Sequence, residues 1–317
     1  MKILFMGTPH FAVPSLELLI ERGYEIIAVV TQPDRPVGRK RELTPTPVKV
    51  SALAHHIPVL QPEKLRSPEG VAAVSVYQPD LIVTAAYGQI LPRSILDLPR
   101  LGCINVHGSL LPQYRGGAPI QRSIINGESA TGVTLMYMAE GLDTGDMIAK
   151  VETPILDEDT AGTMFEKLSI AGANLLLDWL PRIVEGTAGR IPQVEAESTY
   201  APNLTREDER IDWKATSRSI FNRVRGLHPM ASGFTELNDE VFKVWACRVP
   251  TEADQQLSSE FRAMAAGAIL ESGADGIRVR TGDGSIMLTV VQPAGRKPLS
   301  AAEYARGARL AAGHMLG

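Results

Sequence analysis

Two polar side chains suited to catalysis, Asn105 and His107, stand two residues apart at the end of the β-rich run 103–107. Residues two apart on a strand point to the same side of the sheet. An amide donor beside an imidazole can stabilise an oxyanion and move a proton, which are the needs of acyl transfer through a tetrahedral intermediate. The same pair also fits a structural role, with an asparagine turn bond and a satisfied histidine. Taken alone, the pair favours the structural role. Gly108 and the apolar turn after it strengthen the case for acyl transfer, because they would form a walled pocket at the strand end.

A carboxylate that could serve this pair occurs in the run Asp143-Thr144-Gly145-Asp146. Near an imidazole, Asp143 would hold the ring in one orientation. The Asp-Thr-Gly of aspartic proteases is a second interpretation, but such an enzyme needs two copies to pair its carboxylates, and the sequence has one. A plain turn, in which Asp and Gly supply local hydrogen bonds and a positive φ, is the third.

The elements that must position these residues alternate through the first half of the chain. Short apolar runs such as 3–6, 26–30 and 80–84 are separated by helical patterns, which indicates βαβ units and a parallel sheet with helices on both faces. Right-handed crossovers make this fold Rossmann-like. Ligands of such sheets bind beyond the carboxyl ends of the strands. That rule selects the segments 7–11, 86–90, 105–112 and 141–146.

Several cofactor classes lack support. Gly7-Thr8-Pro9 is no dinucleotide fingerprint, because GxGxxG is missing and Pro9 removes a donor from the turn, so a nicotinamide enzyme is disfavoured. No Walker sequence occurs. The two cysteines and six histidines form neither a HExxH motif nor a Cys/His cluster, so we predict no metal site and free core thiols at Cys103 and Cys247.

The second half of the chain has a different pattern. Strand-like runs at 133–138 and 147–151 are joined by a loop, and a long helix fits 161–185. A Gly-, Pro-, Thr- and Glu-rich stretch, 186–202, is typical of a linker. One helix and five short strands then suggest an OB-like β-barrel; they lie at 215–226, 233–237, 241–247, 268–272, 276–280 and 285–291. We predict a catalytic domain over 1–188, a linker over 189–205 and a C-terminal domain over 206–317.

The charge is unevenly distributed along the chain. The net charge is −4, but residues 1–201 carry −5 and residues 202–317 carry +1. Three basic sites stand out, and each is either a solvated surface or a phosphate contact. They are Arg39, Lys40 and Arg41 in the long loop 31–49, Arg218 and Arg225 on one helix face, and Arg296 with Lys297 in a turn.

The expected location is the cytoplasm. The longest apolar runs are far shorter than the roughly 20 residues that cross a bilayer, so we expect no membrane contact. Gly7-Thr8-Pro9-His10 interrupts the apolar start after a few residues, and no small-residue cleavage site follows, which argues against a signal peptide.

Taken together, these motifs resemble the methionyl-tRNA formyltransferases over nearly the whole chain. The similarity lies in 7–14, 31–39, 105–121, 141–147 and 293–297. In that family the first domain is Rossmann-like and the second OB-like, in agreement with the pattern. One departure is Lys40, where many members have glycine.

The resemblance implies a mechanism and a set of site residues. Asn105, His107 and Asp143 match the catalytic triad of enzymes that use 10-formyltetrahydrofolate, and transfer to the methionine amine of initiator methionyl-tRNA is implied. The folate-contacting turn corresponds to Ser109, Leu110, Leu111 and Pro112, and Gln89 and Ile90 are the other predicted folate contacts. The basic residues would contact tRNA: Arg39, Lys40, Arg41, Arg218, Arg225, Arg296 and Lys297. A monomer fits the family.

Two rival functions stay open. A formyltransferase for a nucleotide sugar or for glycinamide ribonucleotide resembles this chain around Asn105, His107 and Asp143, but would not need the basic loop and the barrel together. A catalytically inert RNA-binding protein on the same scaffold would not need the intact triad.

Overall fold

The first half of the chain forms one sheet. A computed structural model, which describes residues 1–38 and 41–317, assembles seven strands in the order β5-β2-β1-β6-β7-β8-β9. The strands are β1 (Lys2–Gly7), β2 (Glu25–Val30), β5 (Val59–Leu60), β6 (Leu81–Ala85), β7 (Cys103–His107), β8 (Ala130–Tyr137) and β9 (Met147–Pro154). The strands from β5 to β7 are parallel, which confirms the Rossmann-like prediction.

The edge of this sheet beyond β7 is antiparallel. β8 pairs antiparallel with β7, and β9 antiparallel with β8. No crossover helix separates β8 from β9, and a short connection permits only antiparallel neighbours. The predicted parallel sheet is therefore a mixed one. A small hairpin, β3 (Arg35–Val37) with β4 (Glu42–Thr44), lies within the predicted long loop.

Helices cover the sheet, whose central strands are buried on both faces. Ile3, Phe5 and Ile82 have no exposed surface. Two helices begin with a capping side chain followed by proline, Thr46 before α2 and Ser67 before α3, and each cap oxygen accepts a main-chain N–H of the first turn. The helices of this half are α1 (Val13–Glu21), α2 (Pro47–Ala54), α3 (Pro68–Ser75), α4 (Arg93–Leu96), α5 (Pro119–Ile125) and α6 (Ala161–Val184).

The C-terminal part forms an antiparallel sheet in the order β10-β11-β14-β13-β12, with β15 paired to β14. Its elements are α7 (Ser217–Leu227), β10 (Gly233–Leu237), β11 (Glu240–Cys247), α8 (Glu252–Gln255), α9 (Ser259–Ala263), β12 (Ile269–Gly273), β13 (Gly276–Arg280), β14 (Ser285–Pro293), β15 (Leu299–Ser300) and α10 (Ala301–Ala308). Apolar residues of α7 and of the strands form its core. This OB-like sheet confirms the five predicted strands and adds β15 and the helices α8 to α10.

The chain folds into two compact units, each built from three segments of the sequence. Unit 1 comprises 1–119, 130–154 and 165–202, and unit 2 comprises 120–129, 155–164 and 203–317. Two segments from the first half of the sequence thus belong to unit 2. Within unit 2, the absence of a side chain at Gly226 allows α7 to lie close to Ile125. Among the described residues, no helix is long and apolar enough to cross a membrane.

Candidate active site

The carboxyl end of β7 presents Asn105 and His107, as the sequence predicted. Thr84 on the neighbouring strand β6 donates to Asn105 Oδ1 at 2.8 Å. Because Oδ1 faces a hydroxyl donor, the amide nitrogen Nδ2 is directed to other acceptors. The side chain of Asn105 is half-buried, so its two N–H donors lie where a ligand can reach them.

Both ring nitrogens of His107 face oxygen acceptors. Nε2 lies 3.1 Å from the main-chain oxygen of Tyr114, which can only accept, so Nε2 carries a hydrogen and donates. Nδ1 lies 3.6 Å from Asp143 Oδ1, beyond hydrogen-bond length but within ion-pair reach. The residue is only 6% exposed. The structure therefore pairs the buried ring of His107 with the half-buried carboxylate of Asp143.

Asp143 lies in the loop between β8 and β9, with a left-handed φ of 53°. Its Oδ2 accepts the main-chain N–H of Gly116 at 2.8 Å. Gly116 itself has a φ of 121°, and a Cβ there would lie 2.7 Å from the main-chain oxygen of Ala201. A glycine is thus required for the N–H donor to reach the carboxylate.

The predicted folate-contacting turn, 109–112, is anchored from β8 and β9. Thr134 Oγ1 donates to the main-chain oxygen of Ser109 at 2.7 Å and accepts from the N–H of Leu111 at 3.0 Å. The ammonium group of Lys150 donates to the main-chain oxygen of Leu111. Burial lowers the pKa of Lys150. The side chains of Ser109, Leu111 and Pro112 are buried, and that of Leu110 is half-buried, so the turn is packed into the protein.

The two other predicted folate contacts differ in their surroundings. Gln89 is occupied within the protein, since its Oε1 accepts from the N–H of Leu65 at 2.7 Å and its Nε2 donates to the main-chain oxygen of Pro62 at 3.2 Å. Ile90 is 71% exposed.

A cavity of about 310 Å³ opens in unit 1 beside β7. Its lining residues are Arg93, Leu96, Asp97, Gly102, Cys103, Tyr137, Met138, Ala139, Glu140 and Arg190. Thr84 lies 3.2 Å from the sulfur of Met138 and hydrogen-bonds Asn105, so one hydroxyl links the cavity wall to the amide. The predicted folate contacts 109–112, Gln89 and Ile90 are not among its lining. Burial raises the pKa of Cys103 to about 12, so the thiol that Cys103 contributes to the cavity wall is uncharged.

Two of the predicted tRNA-contacting residues, Arg39 and Lys40, lie outside the described residues. Arg41 is exposed. Arg296 and Lys297 are also exposed, in the turn between β14 and β15.

The predicted basic face of α7 is divided in the structure. Arg218 is half-exposed and paired with Asp157. Arg225 is buried, and its guanidinium donates to Asn222 Oδ1 at 2.9 Å and to the main-chain oxygens of Leu156 and Asp159. Because these groups occupy Arg225, only Arg218 of this pair presents a cation at the surface.

Sequence reasoning missed two residues next to the site, Gln193 and Arg115. Gln193 donates to main-chain oxygens of the Asp143 loop, and Arg115 donates to Gln193. Arg115 lies three residues after the predicted turn 109–112 and is 1% exposed. The arginine in Tyr114-Arg115-Gly116 was a possible signal, whereas Gln193 lies in the stretch whose composition favoured a linker.

Family models match both halves of the chain. Residues 1–180 match the model described as formyl transferase, and residues 203–309 match that described as formyl transferase, C-terminal domain. The methionyl-tRNA formyltransferase of Bacillus pumilus (strain SAFR-032) is 52% identical over 318 residues, covering 100% of this chain and 98% of that protein. That of Geobacillus thermodenitrificans (strain NG80-2) is 53% identical over 319 residues, covering 99% and 97%.

A solved structure shares the fold at lower identity. HypX from Aquifex aeolicus, in complex with tetrahydrofolic acid, aligns with a TM-score of 0.64 and 18% identity over 96% of this chain. The alignment covers 47% of HypX, so this chain spans about half of that protein.

Proposed function

Because the chain belongs to the formyl transferase family, we propose that it transfers a formyl group from 10-formyltetrahydrofolate to the α-amino group of initiator methionyl-tRNA. One observation carries this proposal. A buried imidazole, His107, and a half-buried carboxylate, Asp143, lie beside Asn105 in a chain that is 52% identical along its length to a methionyl-tRNA formyltransferase. The product, N-formylmethionyl-tRNA, serves translation initiation.

The reaction forms one C–N bond and breaks another. The neutral methionine amine attacks the formyl carbon on N10 of the folate, and a tetrahedral intermediate with an oxyanion results. Asn105 Nδ2 donates to that oxyanion, because Thr84 already occupies Oδ1. Collapse of the intermediate breaks the bond to N10, and the proton lost by the amine ends on that nitrogen.

His107 and Asp143 form the proton-handling part of the site. Tyr114 occupies Nε2, whereas Nδ1 lies 3.6 Å from Asp143 without a hydrogen bond, so Nδ1 is the ring nitrogen left to exchange a proton with the reacting groups. Asp143 orients this edge and stabilises positive charge on the ring while the proton moves. Catalytic contacts that are long in a free enzyme often tighten into hydrogen bonds when substrate binds, so a separation of 3.6 Å in the free protein is compatible with the role.

The cavity beside β7 is suited to the pterin ring of the folate. Its walls combine apolar groups, Leu96 and Met138, with the carboxylates of Asp97 and Glu140. Arg93 pairs with one oxygen of each carboxylate, and the other oxygens can accept from the ring N–H groups. The link through Thr84 places it next to Asn105. The anchored turn 109–112 would contact the part of the folate nearer N10.

Exposed cations would position the tRNA without reading its sequence. Of the predicted contacts, Arg41, Arg218, Arg296 and Lys297 are exposed in the described part of the chain. Arg39 and Lys40 belong to the same predicted set, and its seventh member, Arg225, is buried. We assign catalysis to residues 1–188, a linker to 189–205 and tRNA binding to 206–317, in a cytoplasmic monomer.

A single-turnover assay tests the proposed function. Enzyme is mixed with labelled 10-formyltetrahydrofolate and charged initiator tRNA, and the label should appear on the methionine amine. The same tRNA without its methionine is the matched control, since its phosphates bind the same cations but it offers no methionine amine. Label on an amino-sugar nucleotide instead of methionine would replace the proposal by the rival function.

A further inference from the structure

The loop that carries Asp143 is held by a side chain distant in the sequence, Gln193. Its Nε2 donates to the main-chain oxygens of Asp143 at 2.7 Å and of Gly145 at 2.8 Å. Asp143 adopts a left-handed φ of 53°, which a residue with a side chain rarely adopts unless its surroundings impose it. Gln193 therefore bridges and stabilises the turn on which the carboxylate is mounted.

Arg115 determines how the Gln193 amide is oriented. Arg115 Nε can only donate, and it lies 3.0 Å from Gln193 Oε1. The amide oxygen therefore faces the guanidinium, and both Nε2 hydrogens are left for the two carbonyls. Arg115 is itself held, because Nη1 pairs with Glu195 at 2.8 Å.

Arg115 reaches Asp143 by a second route through its own main chain. Its N–H donates to the main-chain oxygen of Thr199 at 2.9 Å, and its carbonyl accepts from Ala201 at 2.6 Å. The next residue, Gly116, donates its N–H to Asp143 Oδ2. We name the segment 191–201 the strap. Through Gln193 it holds the main chain of Asp143, and through Thr199 and Ala201 it holds the main chain that donates to the Asp143 carboxylate.

We propose that Gln193, oriented by Arg115, is a positioning residue that fixes Asp143 against His107 in the transfer reaction. Gln193 touches neither substrate in this assignment and acts through Asp143 alone. The inference rests on the proposed function, because it gives Gln193 a role in that reaction. It also gives Gln193, which lies in the predicted linker, a positioning role that goes beyond that of a linker.

The test removes the two donors in Gln193→Ala. We expect the single-turnover rate at saturating substrates to fall about tenfold, the effect of losing one or two hydrogen bonds. The KM values for folate and tRNA should stay within about twofold, because Asp143 contributes to the transition state rather than to binding. In the substrate-free protein, the ¹⁵N shifts of the His107 ring, assigned with His107→Ala, should change.

Two further variants make the test specific. Gln193→Glu keeps the acceptor for Arg115 but places a carboxylate oxygen against two carbonyls, so it should lose at least as much rate as Gln193→Ala. Val194→Ala, the next residue of the strap and an exposed one, should retain the full rate.

A full rate in folded Gln193→Ala, or a loss that follows Tm while the His107 spectrum stays unchanged, would overturn the inference. Failure of the wild-type chain to formylate methionyl-tRNA would instead refute the proposed function. The ring spectrum tests the positioning of Asp143 even in that case, because it requires no substrate.

Discussion

At the scale of the residue, the partners of each polar atom decide what remains for chemistry. Thr84 occupies the oxygen of Asn105 and leaves the amide donors, while Tyr114 occupies Nε2 of His107 and leaves the edge that faces Asp143. These assignments follow from which groups donate and which accept. They make Asn105 the donor to the oxyanion and His107 with Asp143 the pair that moves the proton.

Removal of the oxyanion donor is the first prediction. Asn105→Ala should slow the single-turnover rate by ~10²–10³, the usual effect of losing one such donor, with little change in tRNA affinity. Asp143→Asn should also slow the rate, because the ring of His107 loses its charged partner. Asn174→Ala removes an exposed amide on α6 and is the matched control. Full speed in Asn105→Ala would disprove the oxyanion role.

The sequence identifies some of these residues better than others. Asn105 and His107 were predicted because a strand end and a two-residue spacing are local features, and Asp143 because its turn residues are adjacent. Gln193 was missed because its partners, Asp143 and Gly145, lie on another loop and no local pattern connects them. The burial of Arg225 was missed because helical spacing shows which residues share a face but not what covers it.

At the scale of the element, long periodic runs were predicted well and short or interrupted ones were not. α6 was expected over 161–185 and spans Ala161–Val184, because apolar residues recur through many turns. α5 was missed because it begins at Pro119, directly after Gly116-Gly117-Ala118, and these glycines with the proline indicate a loop. The pairing of β8 with β7 was not predicted because strand order depends on contacts between distant residues.

The close packing of β8 against the turn 109–112 leads to the second prediction. A Cβ at Gly132 would lie 2.1 Å from the main-chain oxygen of Val151 and 2.5 Å from Leu110 Cδ2. Gly132→Ala should therefore destabilise the fold by about 1–3 kcal/mol and weaken folate binding by shifting Leu110. Gly189→Ala is the control, since nothing lies within 4 Å of its added methyl. Urea unfolding and folate titration measure both effects; equal stability of the two variants would contradict the packing argument.

An ion pair within unit 2 gives the third prediction, on pH. Arg122 pairs with Asp208 at 2.7 Å, and this hydrogen bond, with those from Thr205, lowers the pKa of Asp208 from 3.8 to about 2. Because the pKa of Asp208 is lower in the folded protein, its carboxylate stabilises the fold at pH values above its pKa in the unfolded chain. This contribution is lost as the pH falls from about 4 towards 2. After allowance for partial exposure, Asp208→Asn should cost about 1–2 kcal/mol at pH 7.

The pH dependence of that cost separates charge from packing. The difference in the free energy of unfolding between wild type and Asp208→Asn should shrink as the pH falls from 5 to 2. The reason is that roughly one proton binds to the Asp208 carboxylate over this range and removes its charge. Asp275→Asn, an exposed carboxylate in the turn between β12 and β13, controls for the loss of one charge. A cost for Asp208→Asn that is equal at pH 7 and pH 3 would show that packing, not the ion pair, is responsible.

At the scale of the whole molecule, net charge alone gives a misleading picture of the partner. The chain carries −4, yet residues 202–317 carry +1 and include the exposed pair Arg296 and Lys297. A polyanion responds to local cations rather than to the sum over the surface. An acidic protein is therefore compatible with a tRNA substrate, provided that its binding depends on a few exposed cations.

The fourth prediction tests that dependence on salt. Each phosphate contact releases counterions. Replacing both Arg296 and Lys297 by glutamine should therefore reduce the magnitude of the slope of log affinity against log salt concentration by about 1 to 2. The loss of affinity should be similar for initiator and elongator tRNAs, because phosphate contacts carry no sequence information. The single-turnover rate at saturating tRNA should remain that of the wild type. The control replaces two exposed cations of unit 1, Lys64 and Arg66, with glutamine and removes the same charge. If both double variants change the slope equally, the effect comes from net charge, and Arg296 and Lys297 are a solvated surface rather than a tRNA contact.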